Sequence, residues 1–371
     1  MKLYYILMER TIRRIDPTDR KDGFIANDRI CFNFPLGKFD LSTLKLYFKA
    51  VVNGSAVNYQ ALPRDVETMI EQMTVYVGNT PVNNIMYYNQ IFRTLIDFNG
   101  SIETRSERAL LSNSAYITNG LNNVVFNVNN YQYCINQWLG FLGSDKVIDV
   151  EKLGGLRVEL LLAPNQVLLG SVTTSTYTLN DVHLSIDDVK GVDVPVEFSY
   201  DDFNTFLQYN NSFNQQTTID LPMNTDYVLA TFLPSNYRSR AIALTTDKIG
   251  TSWYFSRGTG NGNSFPTLAW NFRINNKRLS NYWLNAEVAP EYMRNIFPKT
   301  GVSYNPFFTK TGTMGNVTPT EWNQNYWTTG YIIGKHQSPS NFMFESQAVG
   351  NTTSTFTLLM AKSTKYISLI S

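Results

Sequence analysis

The sequence predicts an all-β protein of two tandem antiparallel sandwiches, with short helices confined to the connecting loops. Three observations carry this. Apolar and polar residues alternate over many short runs, the period-two signature of a strand with one buried face. Gly, Pro, Asn and Asp punctuate those runs at short intervals. Helical spacing occurs only twice. At 371 residues the chain is too long for one ordinary sandwich and comfortable for two of about 150–200 residues.

Residues 1–22 read as an N-terminal arm outside the first sandwich. Arg10, Arg13, Arg14, Arg20 and Lys21 mix there with Glu9, Asp16, Asp19 and Asp22, and Pro17 breaks any helix. The run Met1–Met8 is too short for a signal-peptide core and lacks a small-residue cleavage site. No stretch approaches the ~20 apolar residues of a membrane span, so the expectation is a soluble chain without a classical export signal.

From residue 23 the strands follow one another. Ile30–Phe34 stops at Pro35. Leu44, Leu46, Phe48 and Ala50 alternate with Lys45, Tyr47 and Lys49, and Met73, Val75 and Val77 run into the turn signal Gly78-Asn79. Tyr88, Ile91, Phe92, Leu95 and Phe98 recur at helical spacing, with Asn84 as candidate cap and Asn99-Gly100 as the stop. Strands resume at 124–128, within 132–138, at Leu156–Leu162 and at Val182–Ile186, and Pro195 closes the first half.

The second half repeats the scheme. Strands are predicted at 217–221, 227–233, 241–245 and 268–274. A helix follows with Pro290 in its first turn and Pro298 as its stop. The last strands are predicted at 326–333, 355–360 and 366–370, with loops at 257–266 and 299–325. The predicted division is 1–22 arm, 23–195 first sandwich, 196–371 second. The halves share almost no residue identity, so the repeat is one of architecture.

Charged residues are only 16% of the chain, below the ~25% of an average globular protein. Asn, Thr, Ser, Gln and Tyr replace them, a mix that suits broad neutral contacts with other copies. The net charge of +1 lacks the basic excess that displaces phosphate counterions, which argues against nucleic-acid binding as the main activity. The two cysteines, Cys31 and Cys134, each fall in an apolar strand. One disulfide is possible, but two buried free thiols are the commoner outcome, and assembly in a reducing cytoplasm or nucleus fits the latter. Sequons at Asn53, Asn99, Asn210, Asn316 and Asn351 are expected by chance in so Asn-rich a chain.

Sites of chemistry are scarce. His183 and His336 are isolated and read as surface residues; with two inert cysteines they build no usual zinc site, and no Ser or Cys has a nearby base. Gly258–Asn263 has glycines at every second position, not the spacing of a phosphate loop. Asp187-Asp188 and Asp201-Asp202 read as solvated turn residues, because neighbours in a strand point to opposite faces. No catalytic, cofactor or metal residue is therefore predicted. The arm arginines, with Arg20 and Lys21, are the remaining candidates: they face a genome, an internal membrane or neighbouring subunits, or they form an ordinary solvated tail.

The order of segments resembles the double jelly-roll major capsid proteins of tailless membrane-containing phages, adenoviruses, virophages, Polinton-like viruses and the large nucleocytoplasmic DNA viruses. Phe34–Phe48 looks like their opening strand pair, and Met69–Asn99 like their strand–turn–helix, with Asn89-Gln90 in a helix led by paired tyrosines. Trp138–Gly143, Gly154–Leu162 and Tyr177–Asp187 together resemble the end of their first jelly roll. Ala269–Arg278 followed by a helix is similar to the middle of their second. The resemblance covers most of residues 24–371.

The resemblance implies two eight-stranded jelly rolls and no catalytic residues. It further implies a homotrimer in which six wedges make a pseudo-hexagonal tile of an icosahedral shell around DNA. Partners would be copies of itself, neighbouring capsomers, minor capsid and penton proteins, and an internal membrane touched by the arm. The location would be the virion, assembled inside the host cell. Two other readings are a carbohydrate- or receptor-binding sandwich, whose exposed aromatics stack on sugars, and a glycoside hydrolase, which needs two convergent carboxylates.

Overall fold

The computed structural model describes residues 9–19, 23–53, 62–63, 65–99, 131–168, 176–195, 197–210, 214–234, 268–297, 326–334, 340–348 and 355–368. The first half contains β1 (Glu9–Ile15), β2 (Phe24–Ile25), β3 (Arg29–Asn33), β4 (Lys38–Asn53), β5 (Ile70–Val77), β6 (Thr80–Met86), α1 (Tyr88–Asn99), β7 (Tyr131–Ile135), β8 (Val147–Asp149), β9 (Leu156–Leu162) and β10 (Thr176–Lys190). The second contains β11 (Glu197–Asn210), β12 (Asn214–Leu221), β13 (Thr225–Pro234), β14 (Leu268–Ile274), β15 (Lys277–Arg278), β16 (Leu284–Asn285), α2 (Ala289–Ile296), β17 (Thr328–Ile332), β18 (Ser340–Ala348) and β19 (Thr355–Ser368).

Strand order repeats between the halves. The first has sheets β1-β10-β4-β7 and β3-β9-β5-β6; the second has β11-β19-β13-β17 and β12-β18-β14-β15. With the short β2, β8 and β16 set aside, each half has eight strands among the described residues. In both halves the first, last, third and sixth of these form one sheet, and the second, seventh, fourth and fifth form the other. Every pairing among the described strands is antiparallel. Among the described residues no strand of one half pairs with a strand of the other.

Alternation builds the first core as predicted. β9 buries Leu156, Val158, Leu160 and Leu162 and leaves Arg157, Glu159 and Leu161 half-exposed. β4 changes phase, burying Phe39 and Leu41 and then Leu44, Leu46 and Phe48. The change falls where its register with β10 shifts. Thr43 fills the gap: its Oγ1 donates to Asp40 O at 2.8 Å and accepts from Asp187 N at 2.9 Å. α1 begins at Tyr88, so Asn84 is not its cap. Asn84 lies in β6, where its Oδ1 accepts from Gln72 Nε2 and Thr74 Oγ1.

The second core is aromatic. Trp270 and Phe272 of β14 and Phe342 and Phe344 of β18 face Phe232 of β13, with Phe232 and Phe344 5.9 Å apart between the two sheets. α2 carries Pro290 in its first turn as predicted and lies on β17. Gly330 permits that approach, since a Cβ there would fall 2.4 Å from Ile296 Cδ1 and 2.8 Å from Val228 O.

Other expectations need correction. Residues 9–15 are not part of an arm outside the sandwich. They form its first strand, β1, in full register with β10 from Glu9↔Lys190 to Ile15↔Leu184. β1 holds the position that β11 holds in the second half. Both aspartate pairs lie in strands, not turns. β19 is one continuous strand where two were predicted, and β6, β11 and β18 were not predicted. Cys31 and Cys134 are free and half-buried rather than buried, and desolvation raises the pKa of both thiols. The strands at 124–128 and 241–245, the loops at 257–266 and 299–325, Arg20, Lys21, His336 and Gly258–Asn263 lie outside the described residues.

Candidate functional site: the seam between the sandwiches and the first strand

β6 is an edge of the β3-β9-β5-β6 sheet and β11 an edge of the β11-β19-β13-β17 sheet. They meet through side chains. Asn83 of β6 and Asp202 of β11 are each 1% exposed. Asn83 Nδ2 donates to Asp202 Oδ1 at 2.6 Å, and Asn83 Oδ1 accepts from Phe141 N at 3.1 Å. Asp202 Oδ2 also takes Lys365 Nζ of β19 at 2.6 Å and Asn204 Nδ2 at 3.3 Å. The buried carboxylate is thereby fully engaged, which a charge out of water requires.

The segment Trp138–Gly143 supplies the rest. Its Gly140 has φ +69°, and a Cβ there would sit 2.1 Å from Asn83 Oδ1. Phe141 packs its ring against Phe198 at 5.6 Å and Tyr200 at 5.3 Å, both on β11. Tyr200 OH donates to Val82 O at 2.8 Å, and Thr205 Oγ1 to Met86 O at 3.1 Å. Farther along, Phe98 of α1 stacks on Phe297, just past α2, at 6.1 Å. Hydrogen bonds and ring contacts therefore fix one sandwich against the other.

Burial, helped by the charge of Asp202, pushes Tyr200 up to about 12, and burial raises Tyr227 further. Both phenols stay protonated when folded, whereas an unfolded tyrosine ionises near 10. Their contribution is complete below about pH 10 and is lost as pH rises from there toward about 12. The urea midpoint should therefore fall between about pH 8 and about pH 11, and Tyr200→Phe should reduce that fall. An unchanged midpoint contradicts this assignment.

The arm arginines are turned back onto the sandwich. Arg10 reaches Asp40 at 3.2 Å and Asp187 at 3.4 Å, Arg13 reaches Asp188 at 3.6 Å, and Arg14 reaches Asp16 at 2.7 Å and Asp181 at 3.1 Å. The Arg14 guanidinium holds the Asp181 carboxyl below its ordinary range. Of the seven residues of β1 only Ile15 is buried, so the strand is held by backbone hydrogen bonds and charge. Exposed pairs contribute about 0.2–1 kcal/mol each and weaken as the Debye length falls from about 10 Å at 0.1 M salt to about 3 Å at 1 M. Over that range the amides of residues 9–15 should exchange severalfold faster by hydrogen-exchange mass spectrometry, with β9 unchanged. Equal rates would show that charge does not hold the strand.

His183 is half-buried, not free on the surface; it stacks on Tyr47 at 5.5 Å and its Nδ1 lies 2.9 Å from Asp181 O. Among the described residues no cluster of three His, Cys, Asp or Glu side chains is placed to hold a metal ion. Trp138–Gly143 stands out in the sequence, whereas nothing local there marks Asn83 or the burial of Asp202.

No family model and no curated protein matches the sequence. Solved structures do match. The chain is similar to PBCV-1 VP54, as fitted into a reconstruction of the virophage Sputnik, with TM-score 0.60 and 10% identity over 100% of this chain and 97% of that one. It is similar to the Faustovirus major capsid protein, with TM-score 0.56 and 8% identity over 98% and 90%. It is similar to the mavirus major capsid protein, with TM-score 0.56 and 10% identity over 96% and 88%. At such identities the likeness is one of fold, and the fold is the double jelly roll.

Proposed function

We propose that this double jelly roll is a major capsid protein, three copies of which form a pseudo-hexagonal capsomer in an icosahedral shell around a DNA genome. The observation that carries the proposal is the repeated strand order, combined with a seam that fixes the two sandwiches together. A chain with two like wedges at a fixed angle gives, under threefold symmetry, six wedges in a ring. Hexagonal tiles fill a flat facet. The fold similarity to viral major capsid proteins supports the same reading, and so does the low charge. Leu36, Met223 and Tyr366 stand exposed on the single chain, surface that contact with neighbours would cover.

In this reading the protein acts in the virion as a structural component and not as an enzyme. It contacts its own copies, then adjacent capsomers and the minor and penton proteins. β1 supports a holding role for part of residues 1–22: Arg10, Arg13 and Arg14 keep the first strand in place, and contact with a genome or an internal membrane falls to the rest of that segment, Arg20 and Lys21 included. Trimer interfaces of this kind bury about 2,000–5,000 Å², so dissociation at micromolar concentration is not expected. Light scattering of the purified chain should report three times the 42.3 kDa chain mass. A monomer at micromolar concentration would overturn the capsomer assignment.

A further inference from the structure

The outer face of the β12-β18-β14-β15 sheet carries a charge arrangement that the fold does not need. Arg273 of β14 stands directly opposite Arg278 of β15, and like charges facing each other across an antiparallel pair are destabilising. One carboxylate lies between them. Glu345 of β18, 1% exposed, takes Arg273 Nη2 at 2.8 Å and Arg278 Nε at 2.9 Å. Gln216 Nε2 donates to the same carboxylate at 3.2 Å. One guanidinium would neutralise Glu345; among the described residues the second has no carboxylate of its own. Arg273 Nε is also buried without a hydrogen-bond partner among the described residues.

The neighbouring loop is built to stay still. Asn275 and Asn276 take φ of 50° and 66° to close the β14–β15 turn. Asn271, fully buried, donates from Nδ2 to Ser280 O at 2.9 Å and to Tyr282 O at 3.0 Å. The loop so held carries Trp283, over whose ring the Arg278 guanidinium lies at 4.7 Å, and Tyr282, 65% exposed. The indole fixes the plane of the half-exposed guanidinium, leaving its Nη edge for a ligand.

We propose that this patch binds an acidic carbohydrate, with the carboxylate or sulfate of the sugar held by the Arg278 fork and its ring set against the loop aromatics. A planar fork matches both acid groups in two-point geometry. A preformed loop saves the ordering cost that weakens flexible sites, and exposed tyrosine offers rigid contact area at little entropy. A single surplus charge is too little for a phosphate backbone. A second copy, at net charge +1, brings no acidic surplus. The inference does not depend on the capsid reading, which light scattering tests separately.

The experiment is calorimetric titration of the full chain, in its solution assembly, with a sulfated heparin tetrasaccharide, with sialyllactose and with neutral lactose. At least one acidic sugar should bind with Kd below about 1 mM and at least about tenfold more tightly than lactose. The preferred sugar shows whether sulfate or carboxylate is the natural group. Arg278→Lys keeps a charge for Glu345 but removes the fork, and should weaken binding about tenfold with its melting midpoint close to the parent's. Should that variant fail to fold, Tyr282→Ala, which changes only an exposed ring, should weaken binding instead. Absence of binding to both acidic sugars, equal binding of lactose, or unchanged affinity in the folded variant would each overturn the proposal.

Discussion

Replacing Gly140 with alanine is expected to destabilise the protein by about 2–4 kcal/mol and to uncouple the two sandwiches. The backbone at φ +69° lies in the left-handed region, which costs an L-residue about 1–2 kcal/mol. The new Cβ would stand 2.1 Å from Asn83 Oδ1 and 2.8 Å from Ile85 Cδ1, so the Asn83 carboxamide must leave. Its departure takes one hydrogen bond from Phe141 N and another from Asp202, both buried. A buried polar group left without its partner costs about 1–3 kcal/mol. Lys365, half-exposed on the far side of Asp202, cannot replace a donor that came from β6. Thermal unfolding of Gly140→Ala should separate into two transitions, one for each sandwich. A single transition at the parent midpoint would show that the seam carries no coupling.

Replacing Trp327 with alanine should be costlier, at about 3–5 kcal/mol. The indole is fully buried, stacks on Phe232 at 5.1 Å and meets Trp270 at 6.4 Å and Phe344 at 6.5 Å. Its Nε1 donates to Ala286 O at 3.2 Å, so truncation also strands a carbonyl beside α2. Rings on both sheets surround the site, and a rigid aromatic core collapses poorly into a void. Measured in the Gly140→Ala background, where the two sandwiches melt separately, the loss corresponds to a fall of about 10 °C in the second sandwich's melting midpoint. The first sandwich, which among the described residues shares no ring with this cluster, should melt unchanged there. A fall of less than about 3 °C would mean that the second core is not packed as described.

Where one face of a strand is apolar and the other polar, the sequence was readable. Leu268–Ile274 buries Trp270 and Phe272 at alternate positions and appears at its predicted bounds. The proline-led helix at Ala289–Ile296 was equally plain. β1 was not, because six of its seven side chains are exposed and a strand without a buried face leaves no period to detect. β11 was hidden by Asp201-Asp202, which reads as a turn unless the partners are known. Adjacent residues do point to opposite faces there, but one of those faces is the seam. β19 looked like two strands because Lys362 and Lys365 interrupt its apolar pattern. Both reach carboxylates of neighbouring strands, Lys362 at Asp201 and Asp226 and Lys365 at Asp202. β6 was masked by Pro81, which sits where its register with β5 shifts.

The seam was less legible than the strands it joins. Phe141 and Gly140 belong to a segment that stood out, yet Asn83, which they meet on β6, lies 58 residues from Phe141 and 119 from its other partner, Asp202 of β11. Nothing in local spacing marks such a contact. The repeated strand order was legible only as a count of alternating runs, since the two cores are made of different residues. One is rich in Leu, Val and Ile and the other in Trp and Phe. Chemistry conserved by the fold is therefore burial alone, which many sequences satisfy.

Electron microscopy of the purified protein in negative stain addresses the central idea most directly. Two like wedges per chain, locked edge to edge and repeated around a threefold axis, should appear as uniform particles with six lobes around a centre. Particles with three lobes, or elongated two-lobed bodies with no ring, would mean that the wedges do not close into a tile.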